Sequence, residues 1–364
     1  MQNCRNVQNE INDIMLTTVA SDTVLDAAYE WLCLRRKNWP ADSDVWSLRF
    51  YWPAEKSRLR DELLSGNYRF EPLNRVTKGD GTVIHIWSAR DALVLKALAI
   101  VLSTHLPVSK SCVHVKGHGG AKKAVRAVYD HLPTNNFVMR TDVKAYYESI
   151  DQHLLLEILA QHIKDKGVLN LLWQVMRRTV TWGGLYWDCK QGISRGCPLS
   201  PLLGAVFLNA LDAAMEKLGL FYVRFMDDML VLAPTRWKLK KAVKRLNEIF
   251  NELKVEKHPD KTFIGKIEKG FDFLGYHFSR EGLAVVKDTL EIFVERATRL
   301  YEQERGKPEG FPLLGLYVRR WHEWMAGGLN ARACPTSQLS GASPPRLAYC
   351  DAPLQYANHP HCDE

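Results

Sequence analysis

The sequence predicts an α+β fold, in which helical segments lie on either side of a strand-rich middle. Short apolar runs bounded by turn residues indicate strands, as in Phe137–Arg140 and in residues 221–233. Longer segments with apolar residues at helical spacing, such as residues 237–253, indicate amphipathic helices. At 364 residues, the chain is long enough for two or three domains.

Turn and capping signals divide the chain further. Asp22 is predicted to cap a helix that includes Ala28 and Trp31, and Ser149 or Asp151 is predicted to cap a helix after Asp142. Near Ser200-Pro201 another helix should begin, with the serine as its cap. The remaining predicted elements are helices over residues 20–70, a β-hairpin over 73–87 with its turn at Lys78–Gly81, a buried helix over 90–102, a basic helix within 112–128, strands over 271–286, helices over 288–327 and a loose tail from Ala331.

Composition narrows the class of protein. A net charge of +8 and a pI near 9.0 favour a polyanionic partner. The sequence has no apolar run long enough to span a membrane and no signal peptide pattern, so we expect no membrane association. Its eight cysteines are irregularly spaced, which predicts reduced thiols and a cytoplasmic location. His359, His361 and Cys362 are interpreted as part of a polar tail rather than as a zinc site.

Three carboxylates in apolar surroundings are the main chemical signal. Asp142 ends a predicted strand, and Asp227-Asp228 interrupts a predicted hairpin. Adjacent acids in such a run repel each other and are costly to desolvate, so packing alone does not explain them. A pair of Mg²⁺ ions would compensate their charge and suits oxygen ligands and substrate phosphates. The alternative from these residues alone is an Asp-Asp turn at the protein surface.

Five ordered motifs make the signal specific. Over roughly residues 20–330, the chain resembles reverse transcriptases of the bacterial group II intron type. The matching segments are Asp142-Val143-Lys144-Ala145-Tyr146-Tyr147, the glycine-containing loop from Gln191-Gly192 to Ser200-Pro201, Phe225-Met226-Asp227-Asp228, Pro259-Asp260-Lys261-Thr262 and Phe271-Asp272-Phe273-Leu274-Gly275-Tyr276.

The resemblance implies a right-hand polymerase with fingers, a palm built on an antiparallel sheet and a helical thumb. The implied domains are an N-terminal helical extension over 1–70, fingers over 71–135, a palm over 136–280 with finger helices inserted at about 151–190, a thumb over 281–330 and a flexible tail over 331–364. Because the chain ends soon after the thumb, a stand-alone or truncated enzyme without maturase and endonuclease domains is expected.

The implied activity is RNA-directed DNA synthesis, in which dNTPs extend a DNA or RNA primer on an RNA template. Two Mg²⁺ ions, for which Mn²⁺ can substitute, are the expected cofactors. By resemblance, Asp142 and Asp227 bridge both ions, Asp228 assists, and the main-chain carbonyl of Val143 completes one coordination shell. Lys261 matches a proton donor to the leaving pyrophosphate.

The resemblance also assigns binding residues. Tyr147 corresponds to the gate against a ribose 2′-hydroxyl, although core packing is its simpler interpretation. The other implied contacts with the nucleotide are Lys78, Gln191 and Arg90, with Arg75 as an alternative to Arg90 in triphosphate binding. The implied contacts with primer and template are Phe273, Leu274, Gly275, Tyr276, Arg319 and Arg320, while Trp321 and Trp324 fit either the duplex or the core equally well.

Two departures and two alternatives accompany this prediction. Met226 stands where the intron enzymes usually have alanine, and Ile84-His85-Ile86 lies where they often carry an arginine. An RNA-dependent RNA polymerase is one alternative, disfavoured by the bulky Tyr147. An inactive RNA-binding scaffold is the other, disfavoured by the three intact acids. The cognate RNA and the biological role, whether host defence, retroelement or repair, stay open.

Overall fold

The computed structural model describes residues 14–77, 83–306 and 310–329. None of the helices in these ranges is both long enough and apolar enough to cross a membrane. The helices are α1 (Ile14–Val19), α2 (Asp22–Arg35), α3 (Asp44–Phe50), α4 (Trp52–Leu64), α5 (Ala89–His105), α6 (Gly120–His131), α7 (Tyr146–Ser149), α8 (Gln152–His162), α9 (Lys166–Met176), α10 (Ser200–Phe207), α11 (Asn209–Lys217), α12 (Arg236–Glu252), α13 (Lys287–Glu304) and α14 (Pro312–Leu329). The strands are β1 (Leu73–Thr77), β2 (Val83–Ile86), β3 (Phe137–Thr141), β4 (Thr179–Trp182), β5 (Leu185–Asp188), β6 (Phe221–Phe225), β7 (Asp228–Ala233), β8 (Phe263–Lys266), β9 (Phe271–Phe273), β10 (Tyr276–Phe278) and β11 (Leu283–Val285).

The chain forms two compact units, each built from three segments. Unit 1 comprises Met1–Ser109, Val143–Ala213 and Asn247–Lys257. The segments of unit 2 are Lys110–Asp142, Ala214–Leu246 and His258–Glu364. The mixed helix and sheet content confirms the predicted α+β class. The names fingers, palm and thumb stay predictions.

Unit 1 combines helices with a four-stranded sheet in the order β2-β1-β4-β5. The β1–β2 pair is antiparallel, as the predicted hairpin required, and β1 pairs with β4 in parallel. Helix α5 is buried along most of its length and is capped by Ser88, whose side chain accepts a hydrogen bond from the Asp91 main-chain N–H. Buried apolar residues on nearly all sides of α5 explain why its sequence is apolar without a polar stripe.

Unit 2 contains an antiparallel sheet in the order β6-β7-β3-β8 and a three-stranded sheet in the order β11-β10-β9. Val138 on β3 and Leu230 and Leu232 on β7 belong to a buried cluster that also includes residues of α6. Directly opposed residues share a sheet face, so one face of the larger sheet packs on this helix. The central strands β3 and β7 are thereby fixed in register.

Several predicted details were wrong. Asp22 is the first residue of α2, which Ser21 precedes at the cap position without a side-chain hydrogen bond. Ser200 is likewise inside α10, and its hydroxyl donates to the Ser194 carbonyl instead of capping the helix. Asp151 does cap α8. The segment predicted as inserted helices, at about 151–190, contains α8 and α9 but ends in the β4–β5 hairpin.

Some predictions lie outside the described residues. These are the turn at Lys78–Gly81, the tail over 331–364 and the His359–Cys362 group. Within the described ranges, Cys33, Cys112, Cys189 and Cys197 form no disulfide bond.

Candidate active site

The Asp227-Asp228 pair lies at a tight turn between β6 and β7. Phe225 pairs with Asp228, which leaves Met226 and Asp227 as a two-residue connection. Met226 has a φ of 56°, and a positive φ at the first turn position suits the twist of a hairpin. An L-residue rarely adopts this conformation, so its neighbours must hold the turn.

Two buried side chains hold the Met226 peptide groups. The fully buried Arg224 guanidinium donates to the Met226 carbonyl at 2.7 Å. The Met226 N–H donates to Nδ1 of His114 at 3.0 Å. Both contacts act on the turn from its own unit, so the position of Asp227 depends on residues outside the Asp-Asp motif.

Strand pairing brings Asp142 next to this turn. The β3–β7 ladder ends with Thr141 opposite Met229. Asp142 directly follows Thr141, so continuing the antiparallel register would set it against Asp228, on the sheet face that carries the apolar cluster. The third carboxylate is thus close enough to the Asp-Asp turn that its charge contributes to the raised pKa of Asp227, while its role in metal binding stays a prediction.

The cluster concentrates negative charge in a poorly solvated place. Asp142 is 1% exposed, and its Oδ1 has no hydrogen-bond partner. Burial raises the pKa of Asp227 to about 7, with further contributions from the charges of Asp228 and Asp142. Arg140 lies 3.8 Å from Asp228 and offsets part of the charge.

Lys261 reaches the same cluster from the turn that precedes β8. Its ammonium donates to Oδ2 of Asp142 at 2.9 Å. The turn is held by Thr262, whose hydroxyl donates to the His258 carbonyl at 2.7 Å and is hydrogen-bonded to the Thr141 hydroxyl. Lys261 thus lies beside Asp142, and its role as a proton donor stays a prediction.

The chemistry of this cluster fits a divalent cation. Among the residues that the structure describes, no three Asp, Glu, His or Cys side chains are arranged to hold a metal ion. In this structure the Lys261 ammonium supplies the positive charge at Asp142. However, the partnerless Oδ1 of Asp142 and the raised pKa of Asp227 both indicate negative charge that a cation bound by oxygen ligands would compensate.

Unit 1 brings Tyr147 together with the loop that contains Gln191. The Ile193 N–H donates to the Tyr147 carbonyl at 2.7 Å, and the Gln191 side chain donates to the Ser149 carbonyl at 3.2 Å. Gly192 has a φ of +73°, and a Cβ there would lie 2.7 Å from the Tyr147 carbonyl oxygen, so only glycine fits. The half-buried Tyr147 ring lies against Gly204 of α10.

The other predicted contacts with the nucleotide have structural partners. Arg90 forms ion pairs with Glu62 at 2.9 Å and Glu55 at 3.5 Å. The Arg75 guanidinium lies 4.2 Å from the centre of the Trp182 ring. Val143 is buried in unit 1, where it forms an isolated bridge with Lys257. The nucleotide or metal contacts of Arg90, Arg75 and Val143 stay predictions, and Lys78 lies outside the described residues.

The predicted primer-supporting segment is a second tight hairpin. Leu274 and Gly275 connect β9 to β10 and have φ values of 49° and 81°, which is typical of a type I′ turn. Phe273 and Tyr276 are buried on either side of it. The contact of this turn with a primer stays a prediction.

Tyr276 is packed between two helices of unit 2. Its ring stacks on Trp324 of α14 at 4.8 Å, and Lys122 of α6 donates to its hydroxyl at 2.6 Å. Burial lowers the pKa of Lys122 to about 7. Trp324 is therefore a core residue rather than a residue available to a duplex.

The remaining predicted contacts lie on the exposed side of α14. Arg319 and Arg320 are exposed, which leaves them accessible to a nucleic acid backbone. Trp321 stacks on Phe293 of α13 at 4.1 Å, so it joins the two helices.

Sequence reasoning missed His114, Arg224 and Lys122. Arg224 did carry a signal, because an arginine inside the apolar run Phe221–Phe225 needs a buried partner. The partners of His114 and Lys122 are distant in sequence, so no local pattern indicated their roles.

Comparison with known proteins decides the family. The family model described as reverse transcriptase (RNA-dependent DNA polymerase) matches residues 92–278, more than half of the chain. The chain belongs to the reverse transcriptase family. The matched range includes the Asp142, Asp227 and Asp228 cluster, Lys261 and the β9–β10 turn.

Several relatives are proteins of the group II intron type, as the sequence predicted. The chain is 25% identical to protein YkfC of Escherichia coli (63% of this chain and 72% of YkfC). It is 22% identical to the group II intron-encoded protein LtrA of Lactococcus lactis (55% of this chain, 34% of LtrA) and 23% identical to a putative COX1/OXI3 intron 2 protein of Saccharomyces cerevisiae (60% and 26%). The chain thus spans about a third or less of these two intron proteins. A solved partial Cas6-RT-Cas1–Cas2 complex matches with a TM-score of 0.41 and 16% identity, over 65% of this chain and 42% of that one.

Proposed function

We propose that this protein is an RNA-directed DNA polymerase that extends a DNA or RNA primer with dNTPs on an RNA template. The observation that carries the proposal is the register of β3 on β7, which sets Asp142 against the Asp227-Asp228 turn in a member of the reverse transcriptase family. An antiparallel sheet that presents three carboxylates at one end suits a site for metal ions and phosphates.

The carboxylates are proposed to hold two Mg²⁺ ions, with Mn²⁺ as a substitute. Asp142 and Asp227 would contact both ions, and Asp228 and the Val143 carbonyl would complete the ligand set. When bound, such a pair of ions activates the attacking 3′-hydroxyl and stabilises charge on the leaving pyrophosphate.

The other residues bind and orient the substrates in this proposal. Lys261 donates a hydrogen bond to Asp142 in this structure. It would give up this hydrogen bond when cations bind, and would then donate a proton to the pyrophosphate. Tyr147 and Gln191 would contact the incoming nucleotide from adjoining segments of unit 1. The proposal retains Lys78 and Arg90 as phosphate contacts.

Primer and template contacts are proposed for two parts of unit 2. The turn from Phe273 through Leu274 and Gly275 to Tyr276 would support the primer terminus, since buried packing on both sides fixes it. Arg319 and Arg320 would bind backbone phosphates from the exposed face of α14.

A primer extension experiment tests this function. The purified protein is given a primed RNA template or a primed DNA template, with either dNTPs or NTPs and with Mg²⁺. The proposal predicts dNTP incorporation on RNA, and its loss in Asp227→Ala with RNA binding retained. Exclusive use of NTPs would instead indicate an RNA polymerase. RNA binding without extension under any condition would indicate a scaffold.

A further inference from the structure

The β4–β5 hairpin presents aromatic side chains to solvent. Its turn is Gly183-Gly184, with φ values of 59° and 79°, and a Cβ at either glycine would meet open space. Trp182 is 54% exposed, and Leu185 opposite it is 70% exposed. Exposed tryptophan next to exposed leucine is unusual on a surface without a partner.

The strand register places a guanidinium on the same sheet face. Leu73 pairs with Val180 in parallel, so Arg75 follows opposite Trp182. The Arg75 guanidinium lies 4.2 Å from the Trp182 ring centre. Trp187 pairs with Val180 and so shares this face. We call Arg75, Trp182, Leu185 and Trp187 the stacking platform.

The charge around the stacking platform is positive. On the described strands of this sheet, no carboxylate shares its face, because Asp188 points to the opposite side and accepts a hydrogen bond from Thr179 at 2.6 Å. Arg178 lies close enough to His85 that its charge, with that of Arg75, adds to burial in lowering the His85 pKa. The Arg75 guanidinium therefore lies against a platform ring, and the Arg178 guanidinium adds a second positive charge near His85.

Flat aromatic rings beside fixed cations suit one class of ligand. Any unpaired base, whatever the RNA sequence, can stack on an indole ring, while a guanidinium contacts the adjacent phosphate. Inside a duplex, both faces of each base are covered by the neighbouring base pairs, so no base is available to stack on such a ring. Protein interfaces are likewise rich in tryptophan and arginine, so a protein partner is the alternative occupant, and failure of the wild type to bind RNA in the test below would favour it.

We propose that the stacking platform binds single-stranded RNA, with an unpaired base stacked on Trp182 and its phosphate held by Arg75. This inference rests on the proposed function, because it gives the polymerase a contact with unpaired RNA in unit 1 in addition to its catalytic cluster. Tyr186, which points to the opposite face, is outside the platform.

A binding measurement without nucleotides or divalent metal tests the platform separately from polymerisation. The probe is a fluorescently labelled oligouridine, titrated in EDTA and followed by anisotropy. Trp182→Ala should weaken binding about tenfold, the scale of one lost base stack, while Trp182→Phe restores most of it. Thermal unfolding by circular dichroism shows whether each variant is folded.

The matched control is Trp237→Ala. Trp237 is 75% exposed and has Lys240 5.5 Å from its ring, but it belongs to unit 2, whereas the strands of the stacking platform belong to unit 1. The Trp237→Ala substitution should leave the affinity for the oligouridine unchanged. The inference is overturned if folded Trp182→Ala binds like wild type, if Trp237→Ala loses as much affinity, or if wild type does not bind the probe. If folded Trp182→Ala binds RNA like wild type and still extends primers, the platform is excluded while the proposed polymerase function is retained.

Discussion

The Lys261 ammonium donates a hydrogen bond to Oδ2 of Asp142 at 2.9 Å, while Oδ1 of the same carboxylate has no partner. One buried carboxylate is thus half satisfied by the protein and half available to a cation. In the proposed mechanism, Lys261 therefore competes with Mg²⁺ for Asp142 before it serves as a proton donor.

Lys261→Met should separate these two effects. Loss of the ammonium removes a competitor for Asp142, so half-saturation should need less Mg²⁺, whereas loss of a general acid should lower kcat by about a hundredfold or more. Steady-state kinetics across a Mg²⁺ titration measures both. Lys266→Met is the control, because Lys266 is an exposed lysine on strand β8 that forms a surface ion pair with Glu268. Unchanged kcat in Lys261→Met would exclude the proton-donor role.

Arg224→Met should disturb the Asp-Asp turn without removing a carboxylate. The buried guanidinium holds the Met226 carbonyl at 2.7 Å, and loss of a charged hydrogen bond costs about 1.5–3 kcal/mol of unfolding free energy. Because a displaced Asp227 misaligns the site, kcat should fall about tenfold or more. Chemical denaturation and primer extension report the two quantities.

Arg280→Met is the comparison for Arg224→Met. Arg280 also holds main-chain carbonyls in unit 2, those of Leu132 and Asn135, at 2.8 and 2.6 Å. Its loss should lower stability with kcat unchanged. Equal losses of activity in both variants would mean that stability, and not the turn, explains the effect.

Gly328→Ala should displace Tyr276. A Cβ at this position of α14 would overlap the Tyr276 ring, which the Trp324 ring also contacts. Overpacking of this kind costs about 1–3 kcal/mol, and extension should slow as the adjoining β9–β10 turn shifts. Gly315→Ala in the same helix meets open space and should instead stabilise the protein by up to about 1 kcal/mol. Equal effects of the two alanines on unfolding and extension would contradict this role of the Gly328–Tyr276 contact.

Tyr147→Ala should relax sugar selection. Tyr147 follows Asp142 by five residues, and if its ring blocks a 2′-hydroxyl, removal of the overpacking penalty should raise the ratio of ribonucleotide to deoxyribonucleotide incorporation about ten- to a hundredfold. Single-turnover incorporation measures the ratio. Tyr146→Phe is the neighbouring control, since it loses only the hydroxyl that donates to the Gly204 carbonyl. An unchanged ratio in Tyr147→Ala would make Tyr147 a packing residue.

The parts of the fold that follow from local pattern were predictable. Apolar runs and turn residues indicated β3 and the β6–β7 hairpin, while the approach of Asp142 to the Asp-Asp turn was implied by the resemblance to reverse transcriptases. The β4–β5 hairpin was missed although Gly183-Gly184 between strand-forming residues is a strong hairpin signal, because helices were expected up to about residue 190.

Tertiary contacts explain the other differences. His114 meets Met226 across more than a hundred residues, and Lys122 meets Tyr276 across an even longer separation. Neither pair produces a periodic pattern. Trp324 was compatible with either a duplex contact or the core, and only its stacking on Tyr276 decides for the core.

The most direct test of the central claim is single-turnover dNTP incorporation on a primed RNA template by Asp142→Asn and Asp91→Asn. Both carboxylates are 1% exposed, and asparagine keeps their shape. Asp91 is the control because it lies outside the carboxylate cluster, in unit 1, where it accepts a hydrogen bond from the Tyr68 hydroxyl. We predict that Asp142→Asn lowers the rate about a thousandfold or more, with duplex binding retained, and that Asp91→Asn does not. A wild-type rate in folded Asp142→Asn would contradict the assignment of the carboxylate cluster as the polymerase site.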